Sequence, residues 1–367
     1  MATITITTVD GNANIYLSGT GNVTVTEGTG FKDYPLTNEL SLVDTGPYRP
    51  GQTPRKITIT GDGITAFKSS TLSELVISKD AVLADINCYG ASLTSLDVSG
   101  LAKLKNLNCS YCKLTSLNAS GCGSLVNLDC SICKLTSLNA SGCGSLETLI
   151  CYNNKLTSLN LTGCFNLKIL NCSGNQLTDL DLNSFAKKHY YIIKKDHYGN
   201  EIIIDRPDLE TYTGPHDLLR TRVSNYLTEL YCSGNKLTTL NIKICPHLKK
   251  LACESNLFTS LDISHTGLKE ISFGNSQLSN FNIKGCTMLE VIGYWDSQMH
   301  NLDFSKFVHL KRFAYFDTDP KDILNLSDCP VLETIYFENP VSWGGGKVIT
   351  DGCIALKEII FGPLPPT

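Results

Sequence analysis

Leu104, Leu125, Leu146 and Leu167 recur every 21 residues, and the segments they open lie over one another: LKNLNCSYCKLTSLNASGCGS, LVNLDCSICKLTSLNASGCGS, LETLICYNNKLTSLNLTGCFN and LKILNCSGNQLTDLDLNSF. The period reaches back to Leu83. After an interruption it resumes at Leu227, Leu248, Leu268, Leu289, Leu310, Leu332 and Leu356, which makes twelve opening leucines. Counted from the opening leucine as zero, apolar residues fall at +3, +5, +10, +13 and +15, with Asn or Cys at +8. Such a chain cannot close around one compact core, because each unit has a single apolar edge that only the next unit can cover.

The columns have a physical cause. Residues +2 to +6 alternate, so +3 and +5 point inward while +2, +4 and +6 face out. Stacked ~4.8 Å apart, twelve such units make a parallel sheet ~55 Å long. At +8 the chain turns, and the side-chain amides of Asn154, Asn175, Asn235 and Asn256 can pair backbone groups that would otherwise be buried alone. The column weakens later to Ser276, Ser297, Thr318 and Pro340. The return leg, Leu-Thr-Ser-Leu-Asn, is too short for a useful helix and is expected to be extended or 3₁₀. This pattern, L-x-x-L-x-L/C-x-x-N/C-x-L, resembles the leucine-rich repeat, in the short bacterial form of internalin-type proteins. The resemblance covers residues 83–362 outside the interruption. It implies a mostly β solenoid with a parallel concave sheet, and a protein or glycan partner held on that sheet.

Residues 1–61 lie outside the period and read as short alternating strands split by Asp10-Gly11, Gly19-Thr20-Gly21 and Gly28-Thr29-Gly30. The expectation is a β-sandwich-like cap, since the open end of a solenoid exposes core leucines and strand edges. Its layout is similar to PKD-like domains, with Glu27-Gly28-Thr29-Gly30 where a Trp-Gly-Asp-Gly turn would stand. The solenoid is expected over 62–362, its first stretch (62–82) being irregular, and 363–367 form a proline-rich tail that stops pairing. From Leu167 to Leu227 is 60 residues, one repeat of 21 and an insertion of 39, placed at 186–225. Its Tyr190–Lys195 and Glu201–Asp205 runs read as a β-hairpin.

Sixteen cysteines invite a chemical reading, and Cys109-x2-Cys112 followed by Cys130-x2-Cys133 has zinc-ribbon spacing. The repeat explains them better. Cys88, Cys109, Cys130, Cys151, Cys172, Cys232 and Cys253 share the inward +5 column, Cys112 and Cys133 replace Asn at +8, and Cys122, Cys143, Cys164, Cys245 and Cys286 stand at +18. They read as small buried residues, with neither metal nor disulfides.

No fixed-spacing catalytic motif is present. Gly344-Gly345-Gly346-Lys347 lacks the frame of a phosphate loop, and the insertion histidines His189, His197 and His216 match no metal signature. Charged residues are 18% of the chain against a typical ~25%, with 31 Lys+Arg to 35 Asp+Glu, so nucleic-acid binding through a basic stripe is not expected. No apolar run approaches the ~18 residues of a membrane span, and Met1–Thr7 reads as a strand and not as an export signal; as written the chain reads as cytoplasmic, and as a surface protein if a signal precedes it. A monomer is the default.

The remaining candidate is surface. The outward columns of the first half are bland, whereas the second half carries Tyr231 and Tyr336 at +4, Trp295, Phe316 and Glu254 at +6, and Arg312 at +2. Outward aromatics rimmed by charge are what a binding hot spot requires. The function expected is therefore noncatalytic recognition without a cofactor. The alternatives are a structural or adhesive spacer of a surface or phage-derived particle, and a metal-dependent enzyme using the insertion.

Overall fold

A strand begins two residues after each of the twelve opening leucines, from Asp85–Asn87 and Asn106–Asn108 through to Thr334–Phe337 and Glu358–Phe361. The computed structural model describes residues 1–8, 13–43, 54–195, 201–205, 219–264, 266–274, 277–295, 303–316, 323–338 and 347–362; the side chains of 188–224 and of Trp295 fall outside that description. So do Ser276, Ser297, Thr318 and Pro340 of the weakened column, His197 and His216, the Gly344–Gly346 loop with Trp343, and the proline tail. Among the described residues there is no helix, and hence none long and apolar enough to cross a membrane.

The repeat strands pair in parallel and in register, Leu107 facing Ile86 on one side and Leu128 on the other. In-register pairing of near-equal repeats places equivalent residues side by side, so each apolar position becomes a continuous buried column. Eleven opening leucines are buried, and Leu356 is partly buried in the last coil. The return legs are extended: Ser95–Asp97, Ser116–Asn118 and Ser137–Asn139 form a second, narrow parallel sheet.

The +5 column changes character along the stack. From Cys88 to Cys253 it is a row of buried thiols, and then it continues as Phe273, Tyr294, Tyr315, Phe337 and Phe361. Successive ring centroids lie 5.4, 5.2, 5.9 and 5.4 Å apart, close to the strand spacing, so each ring packs on the next.

Two hydrogen-bond ladders close the turns. Asn154 at +8 accepts from Leu135 N–H at 2.9 Å and donates to the carbonyls of Cys130 and Cys151 at 2.9 and 3.1 Å. Asn175, Asn235 and Asn256 repeat the arrangement. Where Cys replaces Asn, the thiol keeps the donation: Cys112 donates to Cys88 O at 3.1 Å and Cys133 to Cys109 O at 3.3 Å. The +18 thiols form the second ladder, Cys122, Cys143 and Cys164 donating to Val98, Ala119 and Ala140 carbonyls at 3.0 to 3.1 Å. All sixteen cysteines are free thiols, and fourteen are buried. Burial pushes the thiols of Cys112 and Cys143 up to about 12 and those of Cys164 and Cys245 to about 11, so they remain protonated and poor nucleophiles.

The stack passes the insertion without a gap, because Ile169–Asn171 pairs directly with Glu229–Tyr231. The insertion is a three-stranded antiparallel sheet in which Lys187–Lys195 pairs with both Glu201–Asp205 and Leu219–Ser224. Asn225 anchors its base, donating to Leu182 O and Cys245 Sγ and accepting from Leu227 N–H.

At the other end, Gly30–Pro35, Asn22–Glu27, Arg55–Gly61, Ala2–Thr8 and Leu72–Ile77 form a five-stranded antiparallel sheet in that order. Alternation explains its inner face: Ala2, Ile4, Ile6 and Thr8 are buried along one strand. The buried Arg55 guanidinium forks onto the Glu27 carboxylate at 2.7 and 2.5 Å. The second layer, Ser41–Val43, Ile15–Gly19 and Ile64–Lys68, runs on in parallel into Asp85–Asn87, making one fifteen-stranded sheet among the described residues. The division between 61 and 62 is thus drawn through a double layer that the concave sheet shares.

Candidate recognition surface

The six expected contact residues do not form one patch. Tyr231 and Glu254 belong to neighbouring coils, both half-buried, whereas Arg312 is four strand spacings from Tyr231, roughly 19 Å. The Tyr231 hydroxyl donates to Glu229 Oε2 at 2.7 Å, and burial with the Glu229 carboxylate pushes its phenol up to about 12. It therefore stays a neutral donor at ordinary pH. Beside it Lys250 pairs with Glu270 at 3.3 Å, and Glu254 Oε2 is buried without a hydrogen-bond partner.

The second group is Arg312, Phe316 and Tyr336. Arg312 is exposed and Phe316 half-buried, its ring 5.6 Å from that of Tyr336. Tyr336 corrects the sequence expectation: it is 5% exposed, covered by neighbouring chain, with its hydroxyl donating to the Gly362 carbonyl. It supports Phe316 and offers no free face. Trp295 ends its strand opposite Phe316 in register, and its side chain lies outside the described residues.

A second feature was not found from the sequence. Between the cap and the start of the concave sheet lies a cleft of about 600 Å³. One lip is the 38–40 segment, with Asn38 and Leu40, held where the Thr37 carbonyl accepts from Gly19 N–H at 2.8 Å. The floor is the outward side of the strands from Ile64–Lys68 to Thr148–Ile150. Its +2 column is a ladder, Asn127 Nδ2 donating to Asn106 Oδ1 at 2.8 Å and Asn106 Nδ2 to Asp85 Oδ1 at 2.5 Å. In the +4 column Asn108 Oδ1 and Asp129 Oδ1 each accept from the backbone N–H and hydroxyl of the serine two residues on. These bonds fix the side chains while leaving the Asn108 amide nitrogen and the second Asp129 oxygen facing out.

Beside this floor the turn at +7 is left-handed in successive coils. Gly90, Gly174 and Gly234 meet that need with φ of 72°, 63° and 62°, but Tyr111 and Ile132 adopt 58° and 51°. A side chain there costs about 1 to 2 kcal/mol, and a β-branched one is a clear outlier. Tyr111 is half exposed and its ring centroid lies 5.2 Å from that of Tyr89. The signal was present in the sequence, as two bulky residues in a column that is otherwise Gly, Asn, Ser or Asp up to the closing Pro363.

Among the described residues no three His, Cys, Asp or Glu side chains converge as a metal site. The family model described as Leucine Rich Repeat matches residues 166–187. The matched segment is one coil of the stack. Among solved structures, a functional domain of InlJ from Listeria monocytogenes, described as including a cysteine ladder, is 22% identical with a TM-score of 0.44, over 70% of this chain and 57% of that one. YopM from Yersinia enterocolitica WA-314 is 19% identical with a TM-score of 0.38, over 78% of this chain and 62% of that one. The chain thus spans less than two thirds of either. No curated protein matches it.

Proposed function

We propose that this is a noncatalytic recognition protein that holds a protein or glycan partner on the outward columns of its concave sheet. The observation that carries this reading is a sheet of twelve registered repeat strands whose outward side chains are tied in place, Tyr231 to Glu229, Lys250 to Glu270, and Asn127 through Asn106 to Asp85. Solenoids of stacked repeats present such extended concave surfaces for binding. Side chains already ordered lose little entropy when a partner arrives.

On the C-terminal half the contacts are assigned to Tyr231, Glu254, Arg312, Phe316 and Trp295, with Tyr336 as support beneath Phe316. Retention of proteins and glycans from cell extracts on immobilised protein tests this assignment. A Tyr231→Ala/Arg312→Ala/Phe316→Ala variant with a native melting profile should lose at least about tenfold in retention of the wild-type partner, the effect of removing one or two hot-spot side chains. Equal retention by the variant would dismiss the patch.

A further inference from the structure

We infer that the cleft between the cap and the first repeat strands is a binding site for a neutral, hydroxyl-rich glycan segment. The inference deepens the concave-sheet reading and rests on it. The cleft, about 600 Å³, is of ligand size, and its floor sets polar ladders among apolar groups. Donors and acceptors alternate there at the strand spacing. The ladder of Asn127, Asn106 and Asp85 leaves outward N–H groups and a carboxylate oxygen, and next to it stand the Asn108 amide nitrogen and the free Asp129 oxygen. A sugar hydroxyl both donates and accepts, so a run of hydroxyls can satisfy an interleaved array in either order.

Charge and shape narrow the class. Two carboxylates, Asp85 and Asp129, against one ammonium, Lys68, disfavour a phosphate or uronate ligand. The carboxylates stand two strands apart, roughly 10 Å, which is too far to share one cation. A peptide is held by pockets for its side chains, whereas the apolar groups open here, Leu40 on the lip and Ile150 on the last floor strand, stand at the cleft's two edges. A pyranose instead offers one face of C–H groups, which packs on an aromatic ring. The exposed Tyr89 and Tyr111 pair lies outside the cleft's own lining, further along the coils that form its floor, where a glycan running past the cleft would meet such rings, and Tyr111 holds its place at a left-handed position that glycine would fill without strain.

Affinity electrophoresis of the full chain tests this, in native gels containing soluble starch, galactomannan, arabinoxylan, mixed-linkage β-glucan or yeast mannan. Polygalacturonate and denatured casein provide the anionic and peptide arms. The expected result is retardation by at least one neutral polysaccharide, with the dissociation constant raised at least tenfold by Asn108→Ala and by Tyr111→Gly. Tyr111→Gly relieves backbone strain, so its melting temperature should equal or exceed that of the wild type, and lost retardation there cannot be ascribed to unfolding. A Lys243→Ala variant, substituted at the exposed ion pair with Asp262 outside both surfaces, should be retarded like the wild type. No retardation by any neutral polysaccharide, retardation that survives both cleft substitutions, or retardation by polygalacturonate or casein alone would overturn the inference. If partner retention is still lost in the C-terminal variant, the concave-sheet reading survives that failure.

Discussion

Asn175→Ala should lower the unfolding free energy by about 2 to 3 kcal/mol in chemical denaturation, the penalty for a buried backbone donor left without a partner plus the lost contacts of the amide. The reason lies in how the ladder shares its bonds. The Cys151 carbonyl accepts from both Asn154 and Asn175, and the Cys172 carbonyl from both Asn175 and Asn235, so each keeps one donor in the variant. Leu156 N–H has Asn175 Oδ1 as its acceptor, at 3.0 Å, and is orphaned. Asn175→Cys, which mimics the coils of Cys112 and Cys133, should retain the donation and lose only the acceptor, giving a smaller loss. Cys133→Asn runs the comparison in reverse and should stabilise, because an amide oxygen there can accept from Leu114 N–H. A ladder without energetic weight would leave all three midpoints unchanged.

Gly63→Ala should be at least as damaging, about 3 kcal/mol, the upper end of what overpacking costs. Glycine is needed here for close approach and not for its dihedral freedom. A Cβ at Gly63 would fall inside contact distance of the Thr20 carbonyl oxygen, and a Cβ at Gly19 would strike the Gly63 carbonyl. The same seam is bonded, Thr20 N–H to Gly63 O at 3.0 Å, and it holds Ile15–Gly19 against Ile64–Lys68 across a bulge. Opening it separates the cap from the solenoid sheet, and Ser18 and Phe67, which line the cleft, move with it. Thermal denaturation should show the loss, and native stability in Gly63→Ala would mean that the seam yields freely.

The repeat was legible because a period tests itself. A position that is apolar at +3 in all twelve copies and paired in register with its equivalents can only point one way, and Leu107, Leu128 and Leu149 do. The role of Asn at +8 followed from the same logic, since a tight buried turn must satisfy its backbone. The lip of the cleft was not legible, because Ser41–Val43 meets Ile15–Gly19 through an antiparallel pairing that no repeat enforces. Tyr336 was misjudged for a related reason. Its +4 position does face outward, but what covers it includes Gly362, 26 residues further along the chain. Alternation specifies the side of a strand, and burial depends on what later lies over it. The turn strain at Tyr111 and Ile132 could have been read, since up to the closing Pro363 the column at +7 is otherwise Gly, Asn, Ser or Asp, the residues that tolerate a left-handed turn best.

The most direct test of recognition by the concave sheet is site-specific photo-cross-linking. Benzoylphenylalanine would be placed in turn at Tyr231 on the concave sheet, at the exposed Lys243 beyond it, which pairs with Asp262, and at Tyr198 within the insertion. The account predicts that a retained partner cross-links from position 231 and not from 243 or 198. Cross-linking from 198 with none from 231 would contradict it and would transfer recognition to the inserted sheet.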